Sequence, residues 1–187
     1  MVINRFVGEY DFLSNSYKSP IYIDNIKWPT VDQACLASLC RYTWDKEQIR
    51  TAKTVGDAFT LMNTLERNDY ADDMNYRYLV LKECLLRKFL CNDELLQKLW
   101  GTGDAEIQDG SPDNITGRLL MEIRNKSKRG YYVWAVQIFT LEEEDGVVLG
   151  YYKHRQDAEN ALLSHKDYGS NFTCPLDNDH LIIIELL

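Results

Sequence analysis

The sequence lacks the features that identify several classes of protein. No uninterrupted apolar run approaches the ~20 residues that a membrane-spanning helix needs. The first residues also lack the charged-then-apolar layout of a signal peptide. We therefore expect a cytoplasmic protein that has no membrane partner.

Cysteine spacings that would indicate a disulfide framework or a zinc site are also missing. The five cysteines are odd in number. Four of them, Cys35, Cys40, Cys84 and Cys91, lie in apolar stretches with helical spacing. A reducing compartment is the simplest interpretation, and we predict no metal site.

An excess of positive charge is missing too. The net charge is -8, which argues against non-specific nucleic-acid binding as the main activity. A local basic pocket for one phosphate group remains compatible with this balance. Arg5, Arg50 and Lys53 are candidate phosphate contacts, because phosphate needs cationic or N–H donors. The alternative is that they are ordinary solvated surface charges.

The chain is long enough for one domain with a small appendage: it has 187 residues, 45% of them hydrophobic. We predict an α+β fold with a mostly helical domain over 1–127 and a ββαβ appendage over 128–187. In the appendage, Tyr131–Leu141 and Val147–Tyr152 are strands joined by an Asp145-Gly146 turn. A helix over Arg155–Ser164 and a strand over Leu181–Leu187 follow. We expect so small a unit to pack on the larger domain.

The larger domain is organised around the stretch from Trp28 to Cys35. Pro29 favours a helix start, and Thr30 can cap it. We predict that a hairpin-like segment over Ile21–Ile26 leads into a buried helix that begins near Val31. Asp32 would then lie in the first turn, where the helix dipole favours a negative charge. The carboxylate is either held at a pocket mouth or is only a first-turn charge.

Other helix starts are marked by caps at Thr54 and Asn92. Helical periodicity also covers Tyr76 to Leu90, and Leu119–Ile123 lies on a further helix. Between Gly8 and Tyr17 we predict a loop in which Ser14 and Asn15 are polar tips held by apolar neighbours. That loop is either a ligand loop or an ordinary turn. We expect it to face the same cavity as Asp32.

Several short motifs, in this order, resemble the NADAR family. The resemblance extends from about Ile3 to Asn125 and leaves the last sixty or so residues without a counterpart. The matching segments are Phe12-Leu13-Ser14-Asn15, Ser19-Pro20-Ile21, Trp28-Pro29-Thr30-Val31, Lys88-Phe89 with Asn92, Thr102-Gly103-Asp104, Ser111-Pro112-Asp113 and Gly117 to Arg124.

The resemblance implies a small α+β protein that has a pocket for a ribose- or ADP-ribose-bearing nucleotide. It also implies hydrolysis of an N-glycosidic bond, as in clearing phosphoribosylated pyrimidine intermediates of riboflavin synthesis or removing ADP-ribose from guanine. No metal or other cofactor is implied. A nearby carboxylate would stabilise oxocarbenium character on the sugar or direct water to it. The implied catalytic residues are Asp32 and Asp113, and the implied ligand contacts are Arg5, Phe12, Ser14, Asn15, Trp28, Thr30, Gln33, Lys53 and Asn114.

The sequence also departs from the family pattern. Asp32 stands where the family usually has glutamate, Gln33 replaces a histidine, and Ser16 replaces an aromatic residue. Between Asp113 and Gly117 the chain omits a tryptophan-glycine and a glycine-rich loop. A catalytic group misplaced by an ångström can cost ~100-fold in rate. Three hypotheses therefore stay open: an N-glycosidase, a catalytically lapsed nucleotide-binding protein, and a partner-binding domain with a vestigial pocket.

Overall fold

The computed structural model describes residues 1–24, 26–130, 132–140, 143–152, 156–158, 160–161 and 181–185. The chain divides into two compact units, Met1–Arg124 and Asn125–Leu187. The secondary structure is α+β and mostly helical in the first unit, as predicted. Among the described residues, no helix combines the length and apolar character needed to cross a bilayer.

The first unit contains six α-helices, one 3-10 helix and two small pairs of strands within the described residues. In chain order they are β1 (Val2–Ile3), a 3-10 helix (Gly8–Leu13), β2 (Ile21–Ile23), β3 (Ile26–Trp28), α1 (Val31–Ser38), α2 (Thr43–Thr51), α3 (Val55–Met62), α4 (Met74–Leu90), α5 (Asp93–Gly101), β4 (Glu106–Ile107) and α6 (Ile115–Lys128), which runs on past the boundary of the unit.

Helix α1 is the centre of this unit, because it packs against α2, α3 and α4. It begins at Val31, as predicted, with Thr30 as the cap. The predicted caps at Thr54 and Asn92 are also confirmed, since their side chains accept from the backbone N–H groups of Asp57 and Leu95. Local capping chemistry therefore fixes where several of the core helices begin.

The strands of this unit are short. β2 and β3 pair antiparallel, with Ile21 opposite Trp28, which confirms the predicted hairpin. Asp24 has a positive φ of 49° in the connection, whereas Asn25 lies outside the described residues. β1 pairs parallel with β4 across the domain.

Two parts of the first unit differ from the expectation. The predicted loop after Gly8 begins with a 3-10 helix over Gly8–Leu13. The second is α2, which the sequence did not reveal. Its N-cap Tyr42 makes no side-chain capping bond, and Ile49 is the one apolar residue of α2 that is buried. Both of the usual sequence signals of a helix are therefore weak in α2.

The second unit contains a three-stranded antiparallel sheet in the order β6-β5-β7, formed by β5 (Tyr132–Thr140), β6 (Glu143–Tyr152) and β7 (Leu181–Glu185). This confirms the predicted pairing of the three strands. Residues 156–158 and 160–161 are helical. The rest of the predicted helix over Arg155–Ser164 lies outside the described residues.

The turn predicted at Asp145-Gly146 is wrong, because both residues lie inside β6. Thr140 pairs with Glu143, and Ile138 pairs with Val147. Residues 144–146 therefore stand opposite a single residue of β5 and form an irregularity in the ladder. A glycine in a strand commonly marks such a bulge. The Asp145-Gly146 pair therefore belongs to a strand irregularity and not to the predicted hairpin turn.

Candidate functional site

The start of α1 places Asp32. Thr30 Oγ1 accepts a hydrogen bond from Gln33 N at 3.1 Å, which fixes the first turn. The backbone N–H of Asp32 donates to the carbonyl of Asn15 at 3.1 Å. The loop that contains Asn15 is therefore tied directly to the turn that contains the candidate carboxylate.

The side chain of Asp32 is held from the same loop. Ser16 Oγ donates to Asp32 Oδ2 at 2.5 Å, and Ser16 N donates to Ser14 Oγ at 3.2 Å. Among the described residues, Ser16 is the one hydrogen-bond partner of this carboxylate. The second oxygen, Oδ1, is consequently available to a ligand or a water molecule.

Lys88 lies behind the loop and was not predicted as a site residue. Only 1% of its surface is exposed. Its Nζ donates to the carbonyl of Ser14 at 2.7 Å and lies 5.5 Å from the ring centroid of Tyr17. Lys88 lines neither of the cavities described below. It therefore acts on the site by holding the loop and by its charge.

The charges of Asp32 and Lys88 influence each other's pKa. Burial raises the pKa of the Asp32 carboxyl, and the hydrogen bond from Ser16 and the charge of Lys88 offset part of that effect. Burial also lowers the pKa of Lys88 to about 7, against the opposing influence of Asp32 and Asp11. Paired groups with perturbed pKa values mark candidate functional sites.

Two cavities flank Asp32. The first, which we call the polar cavity, has a volume of about 370 Å³ and is lined by Phe6, Ser14, Asn15, Asp32, Asp109, Ser111, Ile115 and Thr116. The second, the apolar cavity, has a volume of about 260 Å³ and is lined largely by aliphatic and aromatic side chains, among them Leu36, Leu39, Phe59, Tyr78 and Leu81. Both are lined by Asn15, Asp32 and Ile115. Ser14 and Asp32 thus face one cavity, as expected.

Asn15, which lines both cavities, has a polar atom without a hydrogen-bond partner among the described residues. Its Nδ2 donates to Thr116 Oγ1 at 3.3 Å. Its Oδ1 is buried and has no hydrogen-bond partner among the described residues. Buried polar atoms are usually paired, so this oxygen is suited to accept a hydrogen bond from a ligand hydroxyl or amino group.

Asp109, rather than Asp113, is the carboxylate of the loop before α6 that reaches a cavity. Its Oδ1 accepts from Ser111 N at 2.8 Å and from Ser111 Oγ at 2.6 Å, while Oδ2 accepts from Thr116 N at 2.8 Å. Burial raises the pKa of Asp109, but these hydrogen bonds outweigh it and hold the pKa below its usual value. Asp109 is therefore an ionised cap of α6.

The other residues predicted in this loop lie elsewhere. Asp113 is exposed and lines neither cavity. Asn114 has a positive φ of 45°. Its side chain accepts from Asp109 N at 2.8 Å and donates to the carbonyl of Ile107 at 2.9 Å. Asn114 thus shapes the loop. A catalytic role of Asp113 and a ligand contact by Asn114 both stay predictions.

Four further predicted ligand contacts are buried in the fold and line neither cavity: Phe12, Trp28, Thr30 and Gln33. Phe12 packs edge-on against Phe89, with ring centroids 6.4 Å apart. Gln33 Nε2 donates to three backbone carbonyls at the end of α2, at 3.1 to 3.2 Å. The structure gives these side chains structural contacts, and a ligand contact by any of them stays a prediction.

The cations predicted to contact phosphate also lie away from the cavities. Arg5 and Lys53 are exposed and line neither one. Arg50 makes a two-point contact with Glu47, at 2.7 Å through Nε and 2.5 Å through Nη2. Arg77, which sequence reasoning missed, is instead the cation that lines the apolar cavity.

A signal for Lys88 was present in the sequence. The buried residues of α4 include Cys84, Leu85 and Phe89, so Lys88 follows Cys84 by four residues on the same apolar face. A lysine at such a position is unusual, because lysine is rarely buried fully without a partner. Within the described residues, no group of histidine, cysteine and acidic side chains could hold a metal ion.

Comparison with solved structures shows the fold. The chain is similar to the NMR structure of the Escherichia coli protein YbiA, with a TM-score of 0.60 and 22% sequence identity, over 69% of this chain and 84% of that protein. The predicted α+β fold is thus confirmed as that of YbiA.

Sequence comparison gives a second relative. The chain is 26% identical over 130 residues to a riboflavin biosynthesis protein of Vibrio vulnificus (strain YJ016). The match covers 63% of this chain. It spans about a third of that relative's length, 35%. No family model matches the chain.

Proposed function

We propose that the protein hydrolyses the N-glycosidic bond of a ribose- or ADP-ribose-bearing nucleotide, with Asp32 as the catalytic carboxylate. The observation that carries this proposal is the position of Asp32 between two cavities of different character. A nucleotide has the same division, since a planar base is joined to a hydroxyl-rich sugar at the bond that is cleaved.

The apolar cavity is suited to the base. Phe59 and Tyr78 contribute aromatic surface to its lining, and such surface stacks on a planar ring and excludes water. The polar cavity is suited to the ribose hydroxyls. It offers the hydroxyl groups of Ser14, Ser111 and Thr116. Asn15, which lines both cavities, has an unpaired Oδ1. With the base and the ribose bound in this way, the sugar carbon C1 would lie beside Asp32.

Asp32 then has the chemistry that the reaction requires. As the bond to the base breaks, positive charge develops on the sugar ring. The free Oδ1 of Asp32 stabilises that charge or orients the attacking water. Ser16 donates a hydrogen bond to the other oxygen, which fixes the orientation of the carboxylate and leaves Oδ1 available to the substrate. Asp109 has hydrogen bonds on both oxygens and is better suited to hold the loop.

One fact about a known protein supports the choice of substrate. The relative matched by sequence is named as a riboflavin biosynthesis protein. A phosphoribosylated pyrimidine is therefore the first substrate to test, and a guanine nucleotide that carries ADP-ribose is the second.

The test is product analysis by mass spectrometry with both substrates, using the full chain and two variants. Asp32→Asn should lower release of the free base by about 100-fold or more. Asp93→Asn is the matched control, since Asp93 is an exposed first-turn carboxylate on α5 that lines neither cavity, and it should leave turnover unchanged.

The other hypotheses give different results in the same assay. A nucleotide that stays bound and intact would indicate a binding protein. No bound nucleotide and no released base would favour a partner-binding domain. Wild-type turnover that Asp32→Asn leaves unchanged would contradict the assignment of Asp32.

A further inference from the structure

The charges that line the two cavities are unevenly placed. The polar cavity is lined by two carboxylates, Asp32 and Asp109, and by no cation. The apolar cavity is lined by Asp32 and by one cation, Arg77. A phosphate group brought to the polar cavity would meet two negative charges, whereas at the apolar cavity it would meet a guanidinium.

Helix N-termini are the usual alternative for binding phosphate, but the nearby ones are occupied by the protein itself. At the start of α1, the N–H groups of Asp32 and Gln33 donate to Asn15 O and Thr30 Oγ1. At the start of α6, Thr116 N donates to Asp109. The same holds at α3 and α4, the other two helices that border the apolar cavity.

At the start of α3, Thr54 Oγ1 accepts from the N–H group of Asp57. At the start of α4, Asp73 accepts from the N–H groups of Asn75 and Tyr76. The capping carboxylates at α4 and α6 also place negative charge where a phosphate would otherwise bind. Among the described residues that line the cavities, Arg77 is therefore the cationic donor left for an anion. Arg77 is exposed at the rim, one turn into α4.

We propose that Arg77 forms a phosphate subsite at the rim of the apolar cavity and binds the 5-phosphate of the ribose to which the base is attached. This inference rests on the proposed function and names the class of ligand: a ribose 5-phosphate group carrying a base.

The shape of a nucleotide agrees with this placement. In a β-ribonucleotide, the base and the phosphate-bearing carbon project from one face of the ribose ring, and the two ring hydroxyls project from the other. With the hydroxyls in the polar cavity, both the base and the phosphate face the apolar cavity, on whose rim Arg77 lies. A guanidinium forms two parallel hydrogen bonds to phosphate oxygens.

The test is equilibrium binding of ribose 5-phosphate and of ribose to the full chain. Arg77→Met keeps much of the apolar stem and removes the charge. It should weaken ribose 5-phosphate binding by about tenfold or more and leave ribose binding unchanged. Arg77→Lys should restore part of the loss, because a lysine offers a point charge without the planar fork.

Arg118→Met is the matched control. Arg118 is an exposed arginine on α6 that lines neither cavity, and its loss should change neither affinity. Added salt should weaken binding of ribose 5-phosphate to the wild type, because Arg77 is exposed and its charge is screened. Binding of ribose should not depend on salt.

Three results would overturn the proposal: an unchanged affinity of Arg77→Met for ribose 5-phosphate, an equal loss for both sugars, or no binding of either sugar by the wild type. The proposed hydrolysis fails in a separate way. If Arg77 proves necessary for binding ribose 5-phosphate but no base is released from any nucleotide, the subsite stands and the hydrolase does not. If wild type and Arg77→Met release the base equally, the proposed hydrolysis stands and the phosphate subsite at Arg77 does not.

Discussion

The buried lysine behind the candidate site should make the stability of the protein depend on pH in a defined direction. Lys88 is 1% exposed, and burial lowers its pKa from 10.5 to about 7. Between these two values the unfolded chain holds a proton on Lys88 that the folded protein has released. The folded state therefore gains stability as pH rises through this window, and it bears the full cost of the buried charge below about pH 7.

The size of the effect follows from the same pKa. One proton difference corresponds to about 1.4 kcal/mol for each pH unit. Other groups also titrate in this range, so the comparison is with Lys88→Met, which shares all of them. From about pH 8 to pH 9, the unfolding free energy of the wild type should rise by about 1.4 kcal/mol relative to the variant. For a chain of this length, that is a relative gain in Tm of roughly 3–6 °C.

The assay is urea unfolding of both proteins at several pH values, with the difference in unfolding free energy plotted against pH. A difference that stays flat between about pH 8 and 9 would refute the reasoning. If Lys88→Met does not fold, because the carbonyl of Ser14 loses its donor, NMR titration of the Lys88 ε-methylene group in the wild type gives the same answer. An ordinary lysine pKa would contradict the account.

Three further predictions test how the site is held. Burial raises the pKa of Asp32, so urea unfolding should show the wild type losing stability relative to Asp32→Asn as pH rises from about 3 to neutral. The favourable interaction of the ionised carboxylate with the helix dipole opposes this loss by only ~0.3–1 kcal/mol. Gly117→Ala would place a Cβ 2.2 Å from the carbonyl of Ile107 and should cost about 1–3 kcal/mol in thermal unfolding, whereas Gly101→Ala meets nothing within 4 Å and should change stability by less than ~1 kcal/mol. Gln33→Leu removes the donor to three carbonyls at the end of α2 and should cost ~1–3 kcal/mol; an unchanged midpoint of denaturation would show that water replaces the lost donor.

Local chemistry made much of the fold predictable. The caps at Thr30, Thr54 and Asn92 are side-chain contacts over three residues, so the sequence alone shows them. Helix α2 was missed because its N-cap makes no side-chain capping bond and Ile49 is its one buried apolar residue. The carbonyls at its C-terminal end are held instead by Gln33, a residue of another helix. A contact between residues far apart in the sequence leaves no periodic pattern in either segment.

The site was harder to predict than the fold for the same reason. Asp32 and the Ser14-Asn15 loop were found because short motifs mark them. Asp109 and Asp113 are both aspartates of the loop before α6, and the sequence does not show that Asp109 is the one held in the cavity lining by Ser111 and Thr116. The sequence around Arg77 predicts a helix, but it contains no signal for the cavity that Arg77 lines.

The most direct test of the central proposal is a single-turnover reaction of the full chain with a phosphoribosylated pyrimidine in oxygen-18 water. Hydrolysis at C1 of the sugar predicts one labelled oxygen on the anomeric carbon and an unlabelled free base, with little of either product from Asp32→Asn. Ribose 5-phosphate incubated alone measures exchange of the anomeric hydroxyl with the solvent. Recovery of the intact nucleotide, or label in the phosphate instead of the anomeric carbon, would contradict N-glycosidic hydrolysis.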